Sequence, residues 1–194
     1  MVKRTTEDKV NVTETDVLER LKTLVPLLQQ EYLENLLKRY ELNPDVRILS
    51  SRKLAELHAA RGMWASAARI MSNTASSSER FSTAQELYMS AAELSIKAGD
   101  YLLADDNIRG AFESASPGDK ARVQAKGAEM FLNEAADLDR NGKMTKCVQL
   151  YERILKTTRD ANVSKRVSER LVVLYQKLGK IQDHMRMKAS LESQ

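Results

Sequence analysis

Four short segments built on glycine limit what this 194-residue chain can become. They are Gly62-Met63-Trp64-Ala65-Ser66-Ala67, Gly99-Asp100-Tyr101-Leu102-Leu103-Ala104, Gly142-Lys143-Met144-Thr145-Lys146-Cys147 and Gly179-Lys180-Ile181-Gln182-Asp183-His184. Each has a large apolar residue two places after the glycine, and the first three have a small residue five places after it. The glycines are 37, 43 and 37 residues apart, in the range of repeated helical hairpins. Each is expected to end one helix in the left-handed backbone conformation that glycine adopts without steric cost.

The flanking patterns agree. Leu87, Tyr88, Ala91, Ala92 and Leu94 before Gly99, and Ala104, Ile108, Ala111 and Phe112 after it, fall at helical spacing. Val167, Leu171, Val172, Leu174, Tyr175 and Leu178 do the same before Gly179. Ala67, Ala104 and Cys147 mark positions where two helices cross closely, since a long side chain there would force the axes apart. The apolar residue after each glycine is expected to pack its turn against the preceding hairpin. His184 breaks the small-residue rule, so the last hairpin is expected to end the array, with its final helix around 181 to 191 a cap or a helix swapped with a partner.

Asn43 before Pro44 and Ser116 before Pro117 read as helix N-caps with proline at the first helical position, which would put Asp119 in a first turn. Asn162 reads as the start of a helix over 163 to 178, and Ser78 with Glu79 as the start of a helix reaching 98. Residues 1 to 12 read as a flexible arm. Over 13 to 42, Leu18, Leu21, Val25, Leu28, Tyr32 and Leu36 form an apolar stripe that Pro26 must kink or break in two, giving an N-terminal cap to a repeat domain over 43 to 194.

Composition narrows function more than it defines it. Aromatics are 5% of residues, with only 3 prolines and 7 glycines, a balance that favours helices over a sandwich or barrel. One cysteine and two histidines preclude an internal disulfide and a zinc cluster, and no run of 18 apolar residues reads as a membrane span. The expected setting is cytoplasmic, with the nucleus as the alternative. Residues 1 to 139 carry 18 basic and 22 acidic side chains, whereas 140 to 194 carry 13 and 5, so the last third suits an acidic partner.

On Ala91-Ala92, Gly99-Asp100-Tyr101 and Ala104, with weaker matches around 62, 142 and 179, the chain resembles the tetratricopeptide-like repeat superfamily over about 45 to 190. The resemblance implies an all-α fold, a right-handed α-α superhelix of helical hairpins, acting as a scaffold or adaptor that holds a peptide or helical protein within a larger complex. It places Arg52, Glu56, Met89, Glu93, Lys97, Glu129, Leu132, Arg140, Arg166, Glu169 and Lys177 on first-helix positions that line the groove in such families. The set lacks the Lys and Asn clamp by which some relatives hold a terminal carboxylate. The unequal spacings also depart from a 34-residue period.

Other sites read more plainly. Asp137-Leu138-Asp139-Arg140-Asn141-Gly142 resembles the opening of a calcium loop, but its twelfth position is Val148 where a bidentate Glu is needed, so it reads as a helix end. Cys147 has no histidine near it in sequence and reads as packing. Asp105-Asp106 diverge by about 100° around a helix and make a poor acid/base pair. With no phosphate loop, HExxH or dinucleotide motif, the chain reads as non-enzymatic, without cofactor or metal. Trp64 reads as turn packing. The alternative function is a nucleic-acid-associated module using Lys156, Arg159, Lys165, Arg166, Arg170 and Lys177 on phosphates, although Tyr151 and Tyr175 are the only aromatics there. The terminal helices offer a route to homo-oligomers.

Overall fold

The computed structural model describes residues 12–158 and 160–192. The expected arm over 1 to 12 therefore lies, apart from Val12, outside the described residues, as does Arg159. Among the described residues the chain is all-α. It comprises α1 (Glu14–Thr23), α2 (Pro26–Arg39), α3 (Pro44–Ala60), α4 (Trp64–Ser76), α5 (Phe81–Ala98), α6 (Tyr101–Glu113), α7 (Lys120–Arg140), α8 (Met144–Thr157), α9 (Ala161–Lys177) and α10 (Ile181–Glu192). Helix α2 packs on α3, α3 on α4, α4 on α5 and α5 on α6, and likewise α8 on α9 and α9 on α10, as in a helical repeat. The chain divides after Lys120 into two compact units.

The repeat is written in the turns. Gly62, Gly99, Gly142 and Gly179 have φ of 75°, 76°, 69° and 68°, and they are the positive-φ residues among those described. At each, the glycine N–H donates to the carbonyl three residues back and the next N–H to the carbonyl five residues back, as in Gly99 to Ile96 and Asp100 to Ser95, both 2.9 Å. This paired closure satisfies carbonyls that a helix end would otherwise leave bare.

The crossing inside each hairpin also repeats. The residue seven before each glycine and the residue five after it are Ala55 and Ala67, Ala92 and Ala104, Ala135 and Cys147, and Val172 and His184. The first two pairs are buried alanines, which let the helix axes approach. In the third, the Cys147 thiol donates to the Ala135 carbonyl at 3.2 Å. In the fourth, His184 Nδ1 lies 2.9 Å from the Val172 carbonyl and, in the tautomer with its proton there, donates to it. The histidine that breaks the small-residue rule thus ties α10 to α9.

In the first unit, Pro26 takes the first position of α2 and separates it from α1. Gln29 bridges the break, its Nε2 donating to the carbonyls of Leu21 and Leu24 at 2.8 and 3.1 Å. Val17, Leu21, Leu33 and Leu36 then pack with Val46 and Leu54 of α3. A second cluster joins Ala55, Ala67, Met71 and Ala75 to Leu87 and Ala91 of α5. Burying a leucine such as Leu87 stabilises by about 1.5–3 kcal/mol. Asn107, also buried, donates to the Leu103 carbonyl at 2.9 Å and to Ser95 Oγ at 3.4 Å.

Three helix starts differ from the sequence reading. Asn43 caps α3 as expected, accepting from the Asp45 N–H at 3.0 Å. The helix after Ser78-Glu79 begins instead at Phe81, because Ser78 Oγ donates to the Arg80 carbonyl rather than accepting from a helical N–H. The α9 cap is Asp160, whose carboxylate accepts from the N–H groups of Asn162 and Val163 and starts the helix before Asn162. Helix α7 starts at Lys120, after Asp119, whose carboxylate accepts from Ser116 Oγ at 2.7 Å. Trp64 is half-buried, and Lys97, at the end of the following α5, sits 5.6 Å from its ring centroid.

Candidate functional site

The first helices of successive hairpins lie side by side in unit one. Arg80, just before α5, pairs with Asp45 in the first turn of α3 at 2.9 Å, and Arg52 of α3 pairs with Glu86 of α5 at 3.3 Å. These bridges join residues 35 and 34 apart, so α3 and α5 run parallel and in register. Each ion pair is exposed and contributes only about 0–1 kcal/mol. Its worth here is orientation.

The expected contact residues separate by burial. Arg52 is half-buried, and Glu56, Glu93 and Lys97 are exposed. Met89, expected in the groove, is 6% exposed and belongs to the interior, because its turn of α5 faces neighbouring packing. Glu56 pairs with Lys53 and Glu93 with Lys97, both at 2.8 Å. Lys97 therefore divides its ammonium between Glu93 and the Trp64 ring.

In the second unit, Glu129 and Arg140 are exposed on α7 and Leu132 is half-buried. Arg140 pairs with Asp137, and Arg170 of α9 reaches Asp139, its Nε at 2.6 Å. The two carboxylates of the apparent calcium-loop opening are thus engaged by arginines. Arg166, Glu169 and Lys177 are exposed on α9. Between the last two, one helical turn from each, stands Val173 at 38% exposure. The helical periodicity of the sequence assigns the neighbouring Val172 to the apolar stripe and gives Val173 no role. The signal that could have found it is the four-residue step Glu169, Val173, Lys177.

Of the alternative phosphate set, Lys156, Lys165, Arg166 and Lys177 are exposed, while Arg170 is half-buried against Asp139. Cys147 is fully buried. Desolvation, with the Asp139 charge adding to it, pushes its thiol up to about 11, so the thiolate needed of a nucleophile is scarce at neutral pH. Burial likewise raises Tyr175, whose hydroxyl donates to Glu152 at 2.8 Å. A surface cleft of about 390 Å³ beside the exposed Phe81 in unit one offers Glu113 and Asp119 as its ionisable groups. No described cluster of three His, Cys, Asp or Glu side chains is arranged to hold a metal ion, and no described helix is long and apolar enough to cross a membrane.

In unit one the first helices α3 and α5 run parallel, and the expected contact positions carry charges of both signs. No family model matches this chain, and no curated protein matches it.

Proposed function

We propose that each unit is a tetratricopeptide-like, right-handed array of hairpins and that the protein is a non-catalytic scaffold, holding a helical or extended partner protein within a larger complex. The observation that carries this reading is the exposed face of α9. Val173 forms an apolar centre between Glu169 and Lys177, with Arg166 on the same face. An apolar anchor ringed by charges is the composition of a contact surface, where the anchor supplies affinity and the charges select orientation. The basic surplus after residue 139 favours an acidic partner.

The test is affinity isolation from native extract with the full chain, Val173→Asp and Arg166→Glu, each checked for native helicity. Loss of the same partner in both variants, where nuclease leaves capture by the unsubstituted chain unchanged, supports the reading. Equal capture by all three folded proteins refutes the α9 face. Capture abolished by nuclease transfers the face to nucleic acid, since phosphate contacts depend on the basic residues and weaken steeply with salt.

A further inference from the structure

The cleft beside Phe81 lies at the open end of the α5–α6 hairpin, within unit one. Phe81 comes from the first turn of α5, Glu113 from the last turn of α6, and Ala115, Ser116 and Asp119 from the segment that follows. Its volume of about 390 Å³ is in the range of sites that take a small group. Phe81 lines it at 76% exposure, whereas Leu87 and Ala91 further along the same helix are fully buried. An aromatic ring held in water beside a concavity gains free energy only when something from outside covers it, which is how interface anchors act.

The charges around the cleft fix the sign of that covering group. The start of α5 has no side-chain cap and presents roughly half a positive charge, but the end of α6 presents about the same negative charge on the other side. The helix ends therefore offset each other, and Glu113 and Asp119 decide the balance. The cations next to these segments are already engaged. Arg80 pairs with Asp45 at 2.9 Å, and Lys120 sits 4.8 Å from the Phe112 ring centroid. The chain uses the same contact elsewhere, with Lys97 at 5.6 Å from the Trp64 centroid and Lys180 at 5.8 Å from that of Tyr175. Among the described residues no cation lies over Phe81.

We propose that this cleft takes a lysine or arginine side chain of a partner protein, its cation against the Phe81 ring and the carboxylates of Glu113 and Asp119. Such a side chain meets both halves of the site, because its apolar stem covers the ring while its charged end stays at the carboxylates. A purely apolar group would leave the acids unanswered, and an acidic one would be repelled by them. The site is shallow and its charges are screened by solvent, so a single side chain binds weakly and serves as one anchor of a longer contact. It stands apart from the α9 face, which lies in the second unit and carries the opposite charge preference.

Nuclear magnetic resonance of the isotope-labelled full chain tests this, using acetylated and amidated tripeptides of alanine, a central residue and alanine. With lysine or arginine at the centre, the amide signals of Ser82, Ser114 and Ala115 should shift saturably, and less so at high salt. With norleucine or glutamate at the centre they should stay in place. Phe81→Leu keeps the apolar area but removes the ring face and should weaken binding about two- to fivefold, while Phe81→Tyr should retain it. Glu113→Gln should weaken it several-fold and reduce its salt dependence. Both positions are exposed, so these variants keep the fold. Cleft signals that ignore both cationic peptides overturn the proposal. So does an equal response to norleucine, a response to glutamate, which would make the α5 N-terminus an anion site, or binding unchanged in Phe81→Leu or Glu113→Gln. A free diamine that binds as tightly as the lysine peptide overturns the choice of a protein partner. All three substitutions leave α9 intact, so their failure is separable from failure of the scaffold reading.

Discussion

Replacing Gly99 with alanine separates a repeat turn from an uninterrupted helix by sign alone. Inside a helix, glycine to alanine stabilises by about 0.5–1 kcal/mol, because alanine loses less backbone entropy on folding. At Gly99 the backbone has φ of 76°, where a Cβ crowds the following carbonyl at a cost of roughly 1–2 kcal/mol. A Cβ built there meets nothing within 4 Å, so neighbouring side chains leave that cost unchanged. The smaller entropy of the unfolded alanine chain returns part of it, leaving a net loss of about 1 kcal/mol. For a chain of this size that lowers the melting temperature by about 2–4 °C. Urea and thermal melts followed by far-ultraviolet circular dichroism read it directly. Gly99→Asn should lose less, since asparagine tolerates the left-handed region better. A rise in stability for Gly99→Ala would refute the turn, and with it the register that assigns every surface position discussed above.

The remaining predictions concern the interior. Leu87→Ala, in the cluster shared by α3, α4 and α5, should cost about 2–5 kcal/mol, and a loss below about 1 kcal/mol in urea melts would show that cluster to be loosely packed. Raising the pH from about 9 to about 11 should destabilise the protein through Cys147, because in that window the folded thiol keeps a proton that the unfolded one has released. The difference is roughly 2–3 kcal/mol, and Cys147→Ala should flatten the alkaline limb of the stability profile. His184→Ala removes the bond to the Val172 carbonyl and should raise hydrogen exchange in α10 above that in the rest of the chain. Unchanged α10 protection would show that apolar packing alone holds the helix.

The turns were legible because their chemistry is local. A glycine at the end of a helical stripe needs only its own backbone and the preceding carbonyls to make the closure seen at 62, 99, 142 and 179. Helix starts were less legible because several residues compete to cap one end. Asp160 precedes Asn162 and presents a charged acceptor, so it takes both N–H groups, and Ser78 spends its hydroxyl on the Arg80 carbonyl. Gln29 carries no periodic signal at all. Its role depends on where Pro26 leaves the carbonyls of Leu21 and Leu24, which becomes visible only once the break is in place.

The exposed positions of the first helices were legible in outline, with Met89 the exception. Assigning positions from the turn glycine puts Glu93 and Lys97 on the outside, but the same count puts Met89 there, and α5 turns Met89 inward. Helical geometry sets the reason: residues four apart drift around the axis, so a stripe that is exposed near Lys97 can be covered two turns earlier by whatever packs beside it. The reverse error hides Val173, where two adjacent valines satisfy an apolar count equally well and only the packing of α8 and α10 decides which is outward. Helix α10 follows a different logic. Ile181 stands at the same place after its glycine as Trp64, so the turn pattern alone would pack it, whereas the helix it opens reads as a cap or a swapped helix. The exposure of Ile181 and Met185 is a property of the assembled helices that no single helix encodes.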